Sequence, residues 1–570
     1  MAKNLDRSFT HNDSETVTLP RGQIVHQRHA QQSEVLARRF YQVRPGVWTL
    51  VGNGLSNQTF IEGPEGIIAI DTGESTEEMR EAISELRQHT DRPIVAVLYT
   101  HFHYVGGTEA VCEDANSRSM PIYGHEKVAY NRNRATSEIS TTYVRGLIEQ
   151  FAIFLPDSGS DGNVNVGLGH FYRNPDHAPF TSVFIPPNET FGSRASLVVA
   201  GLPIEVTEAP SDADDSVTYW FPTLGVAVHN LVWPVLFNIF AIRGEEYRDP
   251  RVLLTGLDHL LALKPEHLVA THGPPMSGAD EIQQRVVKYR DSIQFLWDQS
   301  VRHINKGVLG ADLGDVISLP AQTQDDFITS EGYGVAEHHV RQIRSGLFGW
   351  FDGNEAELFP LPSNERARRM ITGFGGRDEV RAQTKQALAD DDLRWATELA
   401  TWLVRSEEGD SDDRKLLASC LRTIAQRTSA ANIRSWCLTR ALSLEEKINT
   451  TSLYQNNFNR IQVILSPPES SVNMLRVLLV PDLANGIDFH IAFKFTDQPI
   501  TGLHVRNSVA CPTGGANADA TVECSIETWA DVLAGDSKLA AAIADGSVVI
   551  TGDAQQVLAT LAVFEVEGFQ

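Results

Sequence analysis

The residues best placed to do chemistry are Thr100-His101-Phe102-His103-Tyr104-Val105-Gly106-Gly107. A continuous apolar run, Ile94–Tyr99, leads straight into them and reads as a buried strand. A His-x-His at the end of a strand puts two imidazoles at a strand-to-loop turn, where both can face one cation. Neutral imidazole is a common ligand of zinc and of iron. Gly106 and Gly107 let the backbone turn closely into the next element. A second apolar run, Leu268–Ala270, delivers His272 in the same way.

The elements that must position these groups read as a layered α/β domain. Val47–Val51, Gln58–Glu62 and Gly66–Ile70 are short β-branched runs punctuated by Gly, Asn and Pro. Thr76–Gln88 carries helical spacing behind an acidic first turn, and the strand Ile94–Tyr99 follows. Strand, helix, strand in that order implies helices packed on a sheet. Residues 155–195, rich in Gly, Asn, Asp and Pro, form a long connection, after which strands resume at Ser196–Val199, Ile204–Thr207 and Val217–Phe221.

From about Ala279 to Leu444 the apolar spacing is helical, and Glu379–Arg405 reads as a helix hairpin turning at Asp390–Asp392. Trp395 and Trp402 recur there at helical spacing and read as core. From about Thr450 alternation returns in Arg460–Leu465, Gly486–Phe495 and Ala520–Ile526, with helical Trp529–Ala534 and Leu539–Ala544 and a last strand in Gly546–Thr551. The expected division is therefore an N-terminal arm at 1–40, a metal-binding domain at 41–285, a helical domain at 286–445 and a compact α+β domain at 446–570.

The 570 residues carry a formal net charge of −25. With no basic run and no interleaved aromatic patch, that charge argues against nucleic acid and anionic membranes as partners. An anionic substrate would need local positive charge or a metal. Five cysteines, Cys112, Cys420, Cys437, Cys511 and Cys524, are scattered without CxxC spacing and read as free thiols. The polar N-terminus lacks an apolar signal region and no run is long enough to span a bilayer, so a cytoplasmic location is expected.

These motifs resemble the alkyl sulfatase family of the metallo-β-lactamase superfamily. The His-x-His segment with its two glycines, and Asp71-Thr72-Gly73 before it, match that superfamily's pattern. Thr207-Glu208-Ala209-Pro210, Ala270-Thr271-His272-Gly273, and Asn238 with Ile242-Arg243-Gly244 match the alkyl sulfatases. Gly349-Trp350-Phe351-Asp352-Gly353-Asn354 and Arg394-Trp395-Ala396 resemble the family's helical dimerisation region. Asp519-Ala520-Thr521 and Gly546-Ser547-Val548 through Gly552-Asp553 resemble its sterol-carrier-protein-like C-terminal domain. The resemblance implies an αββα sandwich, a helical dimerisation domain, an α+β C-terminal domain and a homodimer. It also implies His101, His103, Glu208 and His272 as metal ligands, with Arg243 holding the sulfate.

The chain departs from the family at one place. The family's Asp after His-x-His is Tyr104 here, its next His is Val105, and its metal-bridging Glu falls near Ala227–Leu231, where Asn230 is the best match and His229 the alternative. One divalent metal, zinc or iron, is therefore expected rather than two. The leading expectation is a metal-dependent hydrolase of a sulfate or similar anionic, partly apolar ester, with Arg243 on the anion, His272 as acid or base, and Tyr104, Asn230 and His338 also in the pocket. Two alternatives stand beside it: a mononuclear non-haem iron oxygenase or oxidase on two His and one Glu, and a non-catalytic dimer binding lipid-like ligands.

Overall fold

The computed structural model describes residues 8–570 apart from 136, 324, 456 and 457. The chain forms two compact units, one of residues 1–128 and 146–449, the other of residues 129–145 and 450–570.

In the first unit a short hairpin, β1 (Thr16–Thr18) and β2 (Ile24–His26), and a helix, Gln27–Val35, occupy the expected arm. The first sheet follows: β3 (Arg39–Arg44), β4 (Val47–Val51), β5 (Gln58–Gly63), β6 (Gly66–Ile70), β7 (Ile94–Leu98), β8 (Ile122–His125) and β9 (Glu189–Phe191), adjacent in that order. It is an antiparallel meander as far as β6 and parallel from β6 to β9. Parallel pairing needs a crossover, supplied between β6 and β7 by helix Thr76–Leu86 and between β7 and β8 by helix Thr108–Asp114. Ser75 starts the first of these helices by accepting the Glu78 N–H at 3.2 Å.

The second sheet runs β10 (Arg194–Val199), β11 (Leu202–Glu208), β12 (Val217–Phe221), β13 (Val226–His229), β14 (His267–Ala270) and β15 (Met276–Ser277). It is antiparallel except for β13 and β14, which pair in parallel around helix Pro250–Leu263. Val47, Ile61, Ile68, Ile70 and Leu98 from the first sheet interdigitate with Ile204, Val206, Tyr219, Phe221, Val228 and Val269 from the second. The far side of the second sheet joins the helical region in one larger core that includes Ala227, Leu268, Tyr289, Leu296 and Leu438.

Helix Ala279–Ile304 runs unbroken through the boundary expected at 285/286, because its apolar residues Ile282, Val286, Tyr289, Ile293 and Leu296 keep one buried stripe throughout. The expected hairpin is two helices, Arg377–Ala389 and Leu393–Arg405, the second capped by Asp392. Trp395 and Trp402 meet edge to face at 5.7 Å and close around Phe374 as core.

The second unit carries the sheet β16 (Asp488–Phe495), β17 (Thr501–Arg506), β18 (Val509–Thr513), β19 (Ala520–Cys524) and β20 (Val548–Thr551), in the order β18-β17-β16-β19-β20. Trp529 is fully buried against Phe493, Phe495 and Phe569, and its Nε1 donates to Ser471 Oγ at 3.1 Å. Arg460–Leu465, expected as a strand, is a helix. Asn459 caps it by accepting from Gln462 N, and of the alternating residues only Val463 is buried while Ile461 and Leu465 face water. The segment 129–145, expected inside the metal-binding domain, belongs to this unit, where Glu138 pairs with Arg476 at 2.8 Å.

Candidate metal centre

The site gathers where β6, β7, β13 and β14 end, as expected for the loop ends of parallel strands. Asp71 follows β6 directly and takes a left-handed φ of 57°. Its carboxylate accepts from Thr100 N at 2.8 Å and from Thr100 Oγ1 at 2.7 Å. The Thr100 hydroxyl has one proton, which goes to Asp71, so at 2.9 Å it accepts from His101 Nδ1. That relay leaves His101 Nε2 with its lone pair exposed. The loop is pinned by Thr72 N donating to Tyr104 O at 2.8 Å. Gly107 is required at the same crossing, because a Cβ there would lie 2.1 Å from Thr72 O.

Among the described residues, His101, His103 and Asp212 form a group able to hold a metal, with their ligand atoms all within 4.8 Å of one another. His103 Nδ1 lies 3.2 Å from Asp212 Oδ2, and His101 Nε2 lies 3.8 Å from Asp212 Oδ1. Burial pushes His101 down to about 3, so the ring is neutral and can ligate at neutral pH. Burial opposes ionisation of Asp212, yet beside His103 and the Arg248 guanidinium its carboxyl is held well below its usual range. A neutral imidazole with a lone pair outward and an ionised carboxylate are the protonation states a divalent cation needs, so the donor set fits.

Glu208, expected as the carboxylate ligand, is placed elsewhere. It ends β11, where its carboxylate lies 3.6 Å from His125 Nε2 and 3.8 Å from Lys127 Nζ. The strand stops there and the chain turns through Ser211–Asp215, which carries Asp212 round to the two imidazoles.

His272, expected as a ligand, is engaged by other groups. Its Nδ1 donates to the Leu55 carbonyl at 2.9 Å, so Nε2 is an acceptor, and the Tyr104 hydroxyl donates to it at 3.4 Å. Asn57 braces this loop by donating to the carbonyls of Ala270 and Gly273. Burial pushes His272 down to about 4 and Tyr104 well above its usual range, so both are neutral at neutral pH and Tyr104 is a phenol, not a phenolate. Val105 is buried beside them. Asn230 does reach the centre: its Nδ2 donates to Asp212 Oδ1 at 2.6 Å and lies 3.4 Å from His101 Nε2, while its Oδ1 accepts from Trp233 Nε1 at 3.1 Å. His229 does not take that place, because its Nδ1 accepts from Leu231 N and Val232 N.

Two buried guanidinium groups stand nearby. Arg243 pairs with Glu245 at 2.6 Å, and Arg248, absent from the sequence reading, is held by the Asn238 side chain at 2.5 Å and carbonyl at 2.9 Å over Phe237. Asn238, which matches the family just before Arg243, acts as the seat of Arg248. Tyr333, from the helical region, packs on Trp233 and accepts from Gln150 Nε2 at 2.9 Å. His338 stacks edge to face on Phe240 at 5.4 Å and is not among the residues gathered at the centre. Asp212 had a signal in the acid-rich turn four residues beyond Glu208, whereas Arg248 and Tyr333 had none, since only the fold brings them in.

Two layered sheets with a His-x-His turn and a carboxylate at the strand ends define a metallo-β-lactamase-type metal centre. Comparison with known proteins carries this further. The metallo-β-lactamase superfamily model matches residues 51–228, the alkyl sulfatase dimerisation model residues 310–447 and the alkyl sulfatase C-terminal model residues 463–567. The linear primary-alkylsulfatase of Pseudomonas sp. (strain ATCC 19151) is 30% identical over 89% of this chain and 98% of its own length. The (R)-specific secondary-alkylsulfatase of Pseudomonas sp. is 27% identical over 90% of this chain and 79% of its own. The solved structure of the inverting sec-alkylsulfatase Pisa1 from Pseudomonas sp. superposes with a TM-score of 0.86 at 24% identity, covering 98% of this chain and 89% of that one. The chain belongs to the alkyl sulfatase family.

Proposed function

We propose that this protein hydrolyses the sulfate ester of an alkyl alcohol at a centre built on one divalent cation held by His101, His103 and Asp212. A divalent cation there would act as a Lewis acid and lower the pKa of bound water towards ~7. The chain's own residues do the rest. Asp71 and Thr100 fix the His101 tautomer, Asn230 orients the Asp212 carboxylate, and Arg243 and Arg248 receive the anion.

The observation that carries this reading is the pair of buried guanidinium groups beside the ligand set. Arg243 and Arg248 bring two positive charges, Glu245 takes away one, and the single charge left matches a sulfate monoester, which carries one negative charge. Arg248 also has a buried Nε with no hydrogen-bond partner among the described residues, a donor that an anion's oxygen would satisfy. We read one cation rather than two, and support comes from His272 being engaged by Leu55 and Tyr104, from Val105 having no ligand atom, and from Asn230 being uncharged. Two His and one carboxylate would also suit an iron oxygenase, but the paired guanidinium groups point to an anionic substrate, and the two relatives named above are both alkylsulfatases.

The dimerisation model spans the stretch in which Trp350 and Phe359 are 71% and 88% exposed. So much aromatic surface left in water marks a docking face, and we assign it to a second copy of the chain. We read the C-terminal unit as sterol-carrier-like in fold, with its centre occupied by Trp529 and its aromatic neighbours. Among the described residues, no helix is long and apolar enough to cross a membrane.

The test is release of inorganic sulfate from a panel of primary and secondary alkyl sulfates by metal-loaded protein, with metal per chain measured in parallel. Sulfate release at one metal per chain is expected, and loss of that release in R243A. No release from any member of the panel would overturn the reading.

A further inference from the structure

Tyr104 is a residue at the centre whose polar atom lies outside the ligand set and meets His272 alone, at long range. Its ring is locked, edge to face at 5.2 Å from His101 and 5.3 Å from His272. Burial keeps its proton on, as do the charges of Glu74 and Asp212, with Arg243 acting the other way. The partner that its proton now has, His272 Nε2 at 3.4 Å, is at the long end of hydrogen-bond geometry. A donor in a rigid ring packed against the cation ligand His101 and holding only a weak acceptor is poised to turn to a better one.

We propose that the Tyr104 hydroxyl donates a hydrogen bond to the bridging oxygen of the ester, the atom that takes the electron pair when its bond breaks. This rests on the sulfate-ester reading above. In the balanced reaction the bond between sulfur and the bridging oxygen breaks, water's hydroxyl bonds to sulfur and its proton goes to the bridging oxygen, giving hydrogen sulfate and alcohol. Tyr104 gives up no proton overall. It stabilises the charge that builds on the departing oxygen and returns to His272, whose Nε2 keeps the hydroxyl aimed between turnovers. A preorganised donor facing developing charge in a dry site acts most in the transition state.

Y104F removes the hydroxyl and keeps the ring. Its metal content and circular dichroism are expected to equal those of the parent. On an alkyl sulfate, kcat should fall by roughly 10²- to 10³-fold with KM changed only a few-fold. On 4-nitrophenyl sulfate, whose departing oxygen is a far weaker base, the loss should be about tenfold or less. Titrating inorganic sulfate into both metal-loaded proteins should show roughly tenfold weaker binding to Y104F. Equal fold losses on the two esters, or equal sulfate affinities, would overturn the proposal. A parent protein that releases no sulfate from any ester defeats the hydrolase reading instead, and the sulfate titration still decides the role of the hydroxyl.

Discussion

Replacing Asp212 by Asn tests the ligand assignment most directly, because sequence and structure point to different carboxylates. The substitution keeps the side chain's size and an oxygen for the Asn230 Nδ2 donor at 2.6 Å, but it removes the negative charge 3.2 Å from His103 Nδ1. For unit charges about 4 Å apart at an effective dielectric near 20, that charge is worth about 4 kcal/mol. Against a divalent cation the loss is at least that large, so the metal should bind at least about 10³-fold more weakly. Glu208 lies beside Lys127 and His125 with a partly exposed side chain, so E208Q should cost no more than about 1 kcal/mol of stability and leave metal affinity within a few-fold of the parent. Competition with a chromophoric zinc chelator measures both variants on one scale. Loss of metal in E208Q with retention in D212N would refute the geometry and restore the assignment expected from the sequence.

Three further outcomes are expected. T100V breaks the link between Asp71 and His101, so metal affinity should fall about 10- to 100-fold with circular dichroism unchanged; the same chelator competition reads it, and an unchanged affinity would remove Thr100 from the relay. Burial pushes the Glu78 carboxyl up to about 7, against the hydrogen bonds from Glu74 N and Gln58, so the folded state holds that proton more tightly than the unfolded chain. Its contribution to stability is full below about pH 4.5 and is lost as pH rises to about 7. E78Q should therefore unfold at a higher temperature than the parent at pH 8, by the equivalent of about 3 kcal/mol, and show little difference at pH 4.5; a gap that does not change with pH would contradict this. Charging the exposed aromatic stretch with W350E and F359E should convert dimers to monomers in sedimentation while sparing the metal content.

The fold was legible where one signal dominated. The apolar run Ile94–Tyr99 marked a buried strand, and the acidic first turn of Thr76–Gln88 announced a helix start. Arg460–Leu465 misled because alternation of Ile461, Val463 and Leu465 looks like a strand face, while the cap from Asn459 starts it as a helix with Val463 alone of the three buried. At the site, His101 and His103 were readable because a strand end aims them together. Glu208 was misread because a strand's side chains alternate, and which of two acids four residues apart turns inward depends on where β11 stops. Arg248 and Tyr333 were invisible for a different reason: they sit on irregular connecting segments whose course is fixed by contacts with Asn238 and Trp233, which no local pattern encodes.

The chain leaves the first unit at 129, returns at 146 and leaves it again at 450. The excursion 129–145 must therefore find partners that are made roughly 300 residues later, a delay on the order of 15–60 s at typical elongation rates. A nascent chain carries that segment uncovered throughout. Cutting the protein at 450 strips Glu138 of Arg476 and leaves the same segment bare, so the C-terminal unit cannot be removed without wounding what stays behind.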